Sequence, residues 1–262
     1  MNLSMMFDMS GKRVFITGAA SGIGLAISEA MLEAGAEVVM SDHDTERLDA
    51  EIRCLRSRYP GVESRVLDVS DVAAVDDVMD SVAVDGRIDC VFANAGISAG
   101  RGFAVEAGQL TNVDQASWDR VLRVNLDGVL ATMRAAARHM KPRGRGRIIV
   151  TSSIAGLRSE SLSGYAYVAS KAAVNNIVRQ AAVELAPFNV LVNAMAPGPF
   201  ATGINGGRLL LPESAERMRT HIPLGRIAEP QEIKGIALLL ASSASSYMTG
   251  SIIPVDGGAS AR

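Results

Sequence analysis

Tyr167 and Lys171 lie four residues apart in a stretch of helical periodicity, so they share one helix face about a turn apart. A free phenol titrates at roughly 10 and is a poor base at neutral pH. A neighbouring ammonium favours the phenolate, and a tenfold change in an ionisation constant takes only roughly 1.4 kcal/mol. The pair is therefore expected to lower the phenol into the range where it moves protons. Ser153 lies fourteen residues before Tyr167, just past a predicted strand, where its hydroxyl would hold a substrate oxygen while the proton moves. Ser152 beside it is the alternative. Tyr165 is a competing tyrosine with no lysine four residues later.

A second group binds rather than reacts. Thr17-Gly18-Ala19-Ala20-Ser21-Gly22-Ile23-Gly24 falls between a predicted strand and a predicted helix. Glycines allow a tight turn and close approach of backbone to a pyrophosphate, and the helix N-terminus offers N–H groups and positive potential. Gly18, Ser21, Gly22, Ile23 and Gly24 are therefore expected at a dinucleotide. Asp42, eighteen residues after Gly24, ends the second predicted strand. There a carboxylate accepts from the adenosine ribose hydroxyls and repels a 2′-phosphate, which argues for NAD over NADP. The other reading of Asp42 is a helix N-cap, a role Asp44 would fill as well.

These residues require a scaffold. Short apolar runs at Arg13–Thr17, Glu37–Ser41, Ser64–Leu67, Ile88–Ala93, Arg147–Ser152, Val190–Ala194 and Ser251–Val255 read as strands. Helical patterns cover Gly22–Ala34, Thr45–Ser57, Asp71–Ala83, Gln115–Met140, Tyr165–Ala186 and Pro230–Ala241. Strands apolar throughout are buried on both faces, so the expected fold is α/β: a doubly wound, seven-stranded parallel sheet of Rossmann type with helices on both faces. With 262 residues, no linker and no repeat, a single domain is expected over residues 1–262. Two segments break the alternation, Gly96–Asp114 and Pro197–Thr220. Both follow strand ends and read as substrate loops, at about 97–114 and 197–220. Met1, Met5, Met6 and Met9 suggest a loose N-terminal tail.

Composition excludes other classes. The 28 acidic and 26 basic residues leave a net charge of −2, against a nucleic-acid binder. Cys54, Cys90 and three histidines form no metal-ligand spacing, so no metal is expected. No apolar run approaches the ~20 residues that span a bilayer, and Met1 to Gly11 lacks the pattern of a signal peptide, so a cytoplasmic protein is expected.

Across nearly its whole length the chain resembles the short-chain dehydrogenase/reductase family. Thr17–Gly24 resembles that family's TGxxxGxG loop, and Ser153, Tyr167 and Lys171 match its catalytic residues. The resemblance implies that Asp68 and Val69 meet the adenine, that Ala93-Asn94-Ala95-Gly96 is its NNAG motif, and that Asn125 joins the proton relay. It also implies that Pro197, Gly198, Phe200 and Thr202 border the nicotinamide, and that Val255-Asp256-Gly257-Gly258 is the closing strand. Ala93 departs from the motif's first Asn, and the Ser–Tyr interval is one residue longer than is common.

The implied activity is NAD-dependent interconversion of a secondary alcohol and a ketone. Tyr167 exchanges the proton, Ser153 orients the oxygen, Lys171 lowers the phenol and holds the nicotinamide ribose, and Asn125 holds a water that links Lys171 to solvent. Homotetramers built on the two long helices are implied as well. The alternatives are a 3-oxoacyl carrier-protein reductase and a dinucleotide-binding protein without turnover. Asp42 and the net charge speak against the first. The intact Ser, Tyr and Lys speak against the second.

Overall fold

The computed structural model describes residues 2–261; Met1 and Arg262, which the single-domain and N-terminal-tail expectations include, lie outside the described residues. Seven parallel strands are ordered β3-β2-β1-β4-β5-β6-β7. They are β1 Arg13–Thr17, β2 Glu37–Asp42, β3 Val62–Val66, β4 Cys90–Ala93, β5 Gly146–Thr151, β6 Val190–Pro197 and β7 Ile252–Val255. The order reverses between β1 and β4, so a crevice opens at the carboxyl ends of these two strands.

Alternation along each strand explains the helices on both faces. Val14 and Ile16 of β1 join a core with Val38, Met40, Cys90 and Phe92 beneath α2 (Gly22–Glu33), α3 (Thr45–Arg56) and α9 (Lys234–Ala241). Phe15 points the other way, into a core with Val39, Val91, Ile148 and Val192 beneath α4 (Val72–Val82), α6 (Gly128–Arg143) and α7 (Tyr165–Leu185). A strand buried on both sides needs apolar residues at every position, which is what Val14, Phe15 and Ile16 provide.

Several boundaries differ from the expectations. The third strand starts at Val62 and ends at Val66, the fourth starts at Cys90, and the sixth runs on to Pro197. The region expected as one helix from Gln115 to Met140 is α5 (Gln115–Leu122), a π turn at Arg123–Asp127, and α6. The segment after β6 is not an open loop: it holds a 3-10 stretch at Ile204–Leu210 and α8 (Pro212–Arg219), whose Pro212 suits a first helical position. Pro230–Ile233 is a 3-10 turn leading into α9. At the N-terminus a short helix α1 covers Leu3–Met6, and Met9, expected in a tail, is buried in the core under α2. No helix among the described residues is long and apolar enough to cross a membrane.

Candidate active site

At the carboxyl ends of the strands lies a cavity of about 880 Å³. Every residue expected at the dinucleotide lines it: Gly18, Ser21, Gly22, Ile23 and Gly24 from the glycine loop, Asp42, Asp68 and Val69 from the β2 and β3 ends, Asn94, Ala95 and Gly96 after β4, Tyr167 and Lys171 of α7, and Pro197, Gly198, Phe200 and Thr202 after β6. Asn125 and Ser153, expected in the relay, lie behind this surface and are buried.

The glycine loop is shaped for an anion. Gly18 and Gly22 have φ of +65° and +54°, in the left-handed region that a side chain disfavours. A Cβ on Gly24 would overlap the Gly18 carbonyl oxygen and lie 2.6 Å from Asn94 Nδ2. Ser21 stands at the N-cap of α2 without capping it through its side chain, so the helix N-terminus is open to a ligand. Asn94 locks the loop to the sheet: its Nδ2 donates to the carbonyls of Thr17 and Gly18 at 3.0 and 3.1 Å, and its Oδ1 accepts from Thr151 Oγ1 at 2.9 Å. Asn94 thus joins β1 to β5, while Ala93 is a buried strand residue. Close backbone approach, an open helix end and a carboxylate at the ribose position together fit a dinucleotide.

Asp44, not Asp42, is the N-cap of α3, accepting from the Arg47 amide. The Asp42 carboxylate faces the loop: Oδ2 accepts from Ala20 N at 3.1 Å, and Oδ1 accepts from Asp44 N at 3.1 Å and lies 3.1 Å from His43 Nδ1. Asp68 accepts from the Ser70 amide, which holds its carboxyl below the usual range.

The reactive groups come from two elements. β5 leads into a 3-10 turn, Ile154–Gly156, whose N-cap is Ser153. Ser153 Oγ accepts from Ala155 N at 3.1 Å, donates to the Pro197 carbonyl at 3.5 Å, and lies close enough to the Tyr167 phenol to favour its ionised form. The Ser152 hydroxyl turns away and donates to Asn175 Oδ1 at 2.6 Å. Tyr165, the competing tyrosine, is the exposed first residue of α7.

Lys171 is buried, its ammonium donating to the Thr151 carbonyl at 2.8 Å and lying 5.7 Å from the Tyr167 ring centre. The lowering expected of the phenol is corrected by its surroundings. Desolvation raises the half-buried Tyr167 above its ordinary value, and the nearby Ser153 hydroxyl lowers it only in part. Burial also pushes Lys171 down to about 8, so its charge near neutral pH is held at a cost.

Asn125 occupies the π turn, a deviation that often marks a functional position in a helix. Its carboxamide is engaged by Ile97, donating to Ile97 O and accepting from Ile97 N, both at 2.8 Å, with a longer bond to Ser170 Oγ. The carboxamide is thus a clasp on the segment that follows β4. Gly96 lets it sit beside Lys171: a Cβ there would lie 3.3 Å from Asn125 Oδ1 and 3.6 Å from Lys171 Nζ.

Ile97 and Ser98 of the first expected loop line the cavity, and so do Thr151, Arg120, Arg123 and Val124, which sequence reasoning missed. The strand-end rule would have found Thr151; Arg120 of α5 and Arg123 and Val124 of the π turn carry no comparable signal. His43 and Arg47 line the cavity beside Asp42.

A family profile described as Enoyl-(Acyl carrier protein) reductase matches residues 18–260. The gluconate 5-dehydrogenase of Gluconobacter oxydans is 34% identical over 256 residues, covering 97% of this chain and 96% of that protein. The 3-oxoacyl-[acyl-carrier-protein] reductase of Thermotoga maritima is 36% identical over 252 residues, covering 95% and 98%. Among solved structures, a gluconate 5-dehydrogenase from Burkholderia cenocepacia in complex with NADP and tartrate superposes with a TM-score of 0.90 at 30% identity, covering 100% of both chains.

Proposed function

The chain belongs to the short-chain dehydrogenase/reductase family, whose relatives act on alcohols and ketones, and from that premise we propose that it interconverts a secondary alcohol and a ketone through Ser153, Tyr167 and Lys171. The observation that carries the reading is the convergence of the Ser153 hydroxyl, the Tyr167 phenol and the Lys171 ammonium beside a glycine loop shaped for a dinucleotide.

When bound, a nicotinamide dinucleotide supplies the hydride donor or acceptor. The glycine loop would hold its pyrophosphate, Asp42 its adenosine ribose, and Pro197 to Thr202 its nicotinamide end. The remaining chemistry belongs to the chain. Ser153 donates to the substrate oxygen and fixes it beside Tyr167. In the alcohol-oxidising direction the Tyr167 oxygen takes the hydroxyl proton, and in reduction it returns one. Because burial raises the phenol, the protein alone favours the protonated tyrosine, and local positive charge must offset this for Tyr167 to act as a base. Lys171 supplies that charge from the same helix face.

NAD is the dinucleotide we assign, on the position of the Asp42 carboxylate. The relative crystallised with NADP defines the alternative. The carrier-protein reductase reading is the second hypothesis, supported by the Thermotoga relative. Exposed Leu130 on α6 and Val183 on α7 support a homotetramer packed on these helices. The test is a panel of secondary alcohols, ketones and 3-oxoacyl thioesters assayed with NAD(H) and NADP(H), beside Tyr167→Phe. The expected result is turnover with NAD that Tyr167→Phe reduces about 100- to 10,000-fold, the range of a general acid–base group, with dinucleotide binding retained. Equal turnover in Tyr167→Phe removes the phenol from the mechanism, and preference for acyl thioesters with NADPH selects the second hypothesis.

A further inference from the structure

The two halves of the reactive group must be held at hydrogen-bond distance although they lie on different elements, Ser153 on the turn after β5 and Tyr167 on α7. Asn175 of α7 lies where that join is made. It is one turn beyond Lys171, and it is buried at 2% exposure.

Its carboxamide uses both ends. Oδ1 accepts from Ser152 Oγ at 2.6 Å, and Nδ2 donates to the Gly156 carbonyl at 3.0 Å. These partners flank Ser153 on the two sides of the 3-10 turn whose Ala155 amide orients its hydroxyl. The turn also lies directly on α7: a Cβ on Gly156 would come within 2.5 Å of the Lys171 carbonyl oxygen and 2.7 Å of Asn175 Nδ2. Ser152 Oγ makes a second, longer approach to that carbonyl, at 3.5 Å.

We propose that Asn175 is a positioning residue: a two-point clamp on the turn that carries Ser153, setting the Ser153–Tyr167 distance without touching substrate or dinucleotide. The inference rests on the reading of Ser153 and Tyr167 as the reacting pair. A buried amide with both ends satisfied by one turn fixes that turn in translation and in tilt, which an apolar side chain of the same size would not do. The Ser152 hydroxyl then belongs to the same device.

The experiment compares Asn175→Ala, Ser152→Ala and the double variant in steady-state kinetics, fluorescence titration with NAD(H), thermal unfolding, and ultraviolet titration of the Tyr167 phenol read against Tyr167→Phe. For Asn175→Ala we expect kcat to fall about 10- to 100-fold, the scale of a misplaced reacting group. KM and the dinucleotide Kd should stay within about twofold, and the phenol should titrate at higher pH as the Ser153 hydroxyl moves off it. Ser152→Ala should cost about three- to tenfold, the value of one ordinary hydrogen bond. The double variant should be no slower than Asn175→Ala, because both act through one clamp.

A folded Asn175→Ala with unchanged kcat and unchanged phenol titration, whatever its thermal stability, overturns the proposal; so does a double variant whose loss is the product of the two single losses. If Asn175→Ala does not fold, the kcat and phenol titration of Ser152→Ala decide in the same way. A wild type that binds NAD but turns over nothing refutes the assigned function, while the phenol titration still tests the clamp.

Discussion

The two ends of the cavity are built on different principles. At the dinucleotide end, the recognition groups are backbone: the turn at Gly18 and Gly22, the open N-terminus of α2, and a loop fastened to β1 and β5 by Asn94. At the end we propose for substrate, side chains of the segments 97–114 and 197–220 form the wall, Ile97 and Ser98 from the first and Ile204 and Leu209 from the second. Backbone recognition tolerates few sequences, because a single Cβ fills the space the ligand needs. Side-chain recognition tolerates many. Changes at the first end should therefore affect every substrate equally, and changes at the second should redistribute preference among them.

The most severe break in that contrast is Gly24→Ala. Its Cβ overlaps the Gly18 carbonyl and crowds Asn94 Nδ2, both fixed by the sheet. Overpacking of this kind costs about 1–3 kcal/mol. We expect dinucleotide affinity to fall about 100-fold or more for NAD and NADP alike, measured by fluorescence titration. Retained affinity would mean the loop is more pliant than its hydrogen bonds imply.

Lys171 stands where the two ends meet and gives a test through stability. Its folded value near 8 lies below the ordinary 10.5, so between these values the unfolded chain holds a proton the folded chain has released. Stability therefore rises with pH across that interval, and below 8 the cost of burying the ammonium is present in full. The raised Tyr167 works the other way above about 10, where the unfolded chain loses its proton first. The stability of wild type relative to Lys171→Met is expected to climb by about 2 kcal/mol from pH 8 to 10, read by denaturant unfolding. A flat difference would mean the lysine is hydrated and the join between the two ends loosely packed.

The same contrast explains what the sequence disclosed. The sheet was legible because Val14, Phe15 and Ile16 are apolar at successive positions, as burial on both faces requires. The glycine loop was legible because positive φ and close approach demand glycine at particular places. The Tyr167–Lys171 spacing revealed their shared helix face. It did not reveal that the half-buried phenol is desolvated where it sits on the cavity wall, which raises its titration: desolvation is a tertiary quantity. The π turn at Asn125 left no mark, since Val124-Asn125-Leu126 continues the helical pattern and the partner of its carboxamide, Ile97, is distant in sequence. Helix α8 was hidden by three glycines just before it, at Gly203, Gly206 and Gly207.

Asp42 sharpens the contrast most finely, because it is the side chain on which our assignment of NAD rests. Its carboxylate does two things that one substitution would confuse: it tethers the Ala20 and Asp44 amides, and it puts an anionic group on the cavity wall, where we propose the ribose lies. Asp42→Ala removes both, and NAD affinity is expected to fall about tenfold, the value of a hydrogen bond to a charged group. Asp42→Asn keeps an acceptor for one of the two tethered amides and removes the charge. If charge sets the choice, both variants should bind NADP better relative to NAD than wild type does, since a 2′-phosphate is no longer repelled. If only Asp42→Ala changes the ratio, the residue acts by shaping the loop, and selection between the dinucleotides lies with His43 and Arg47 at the same rim.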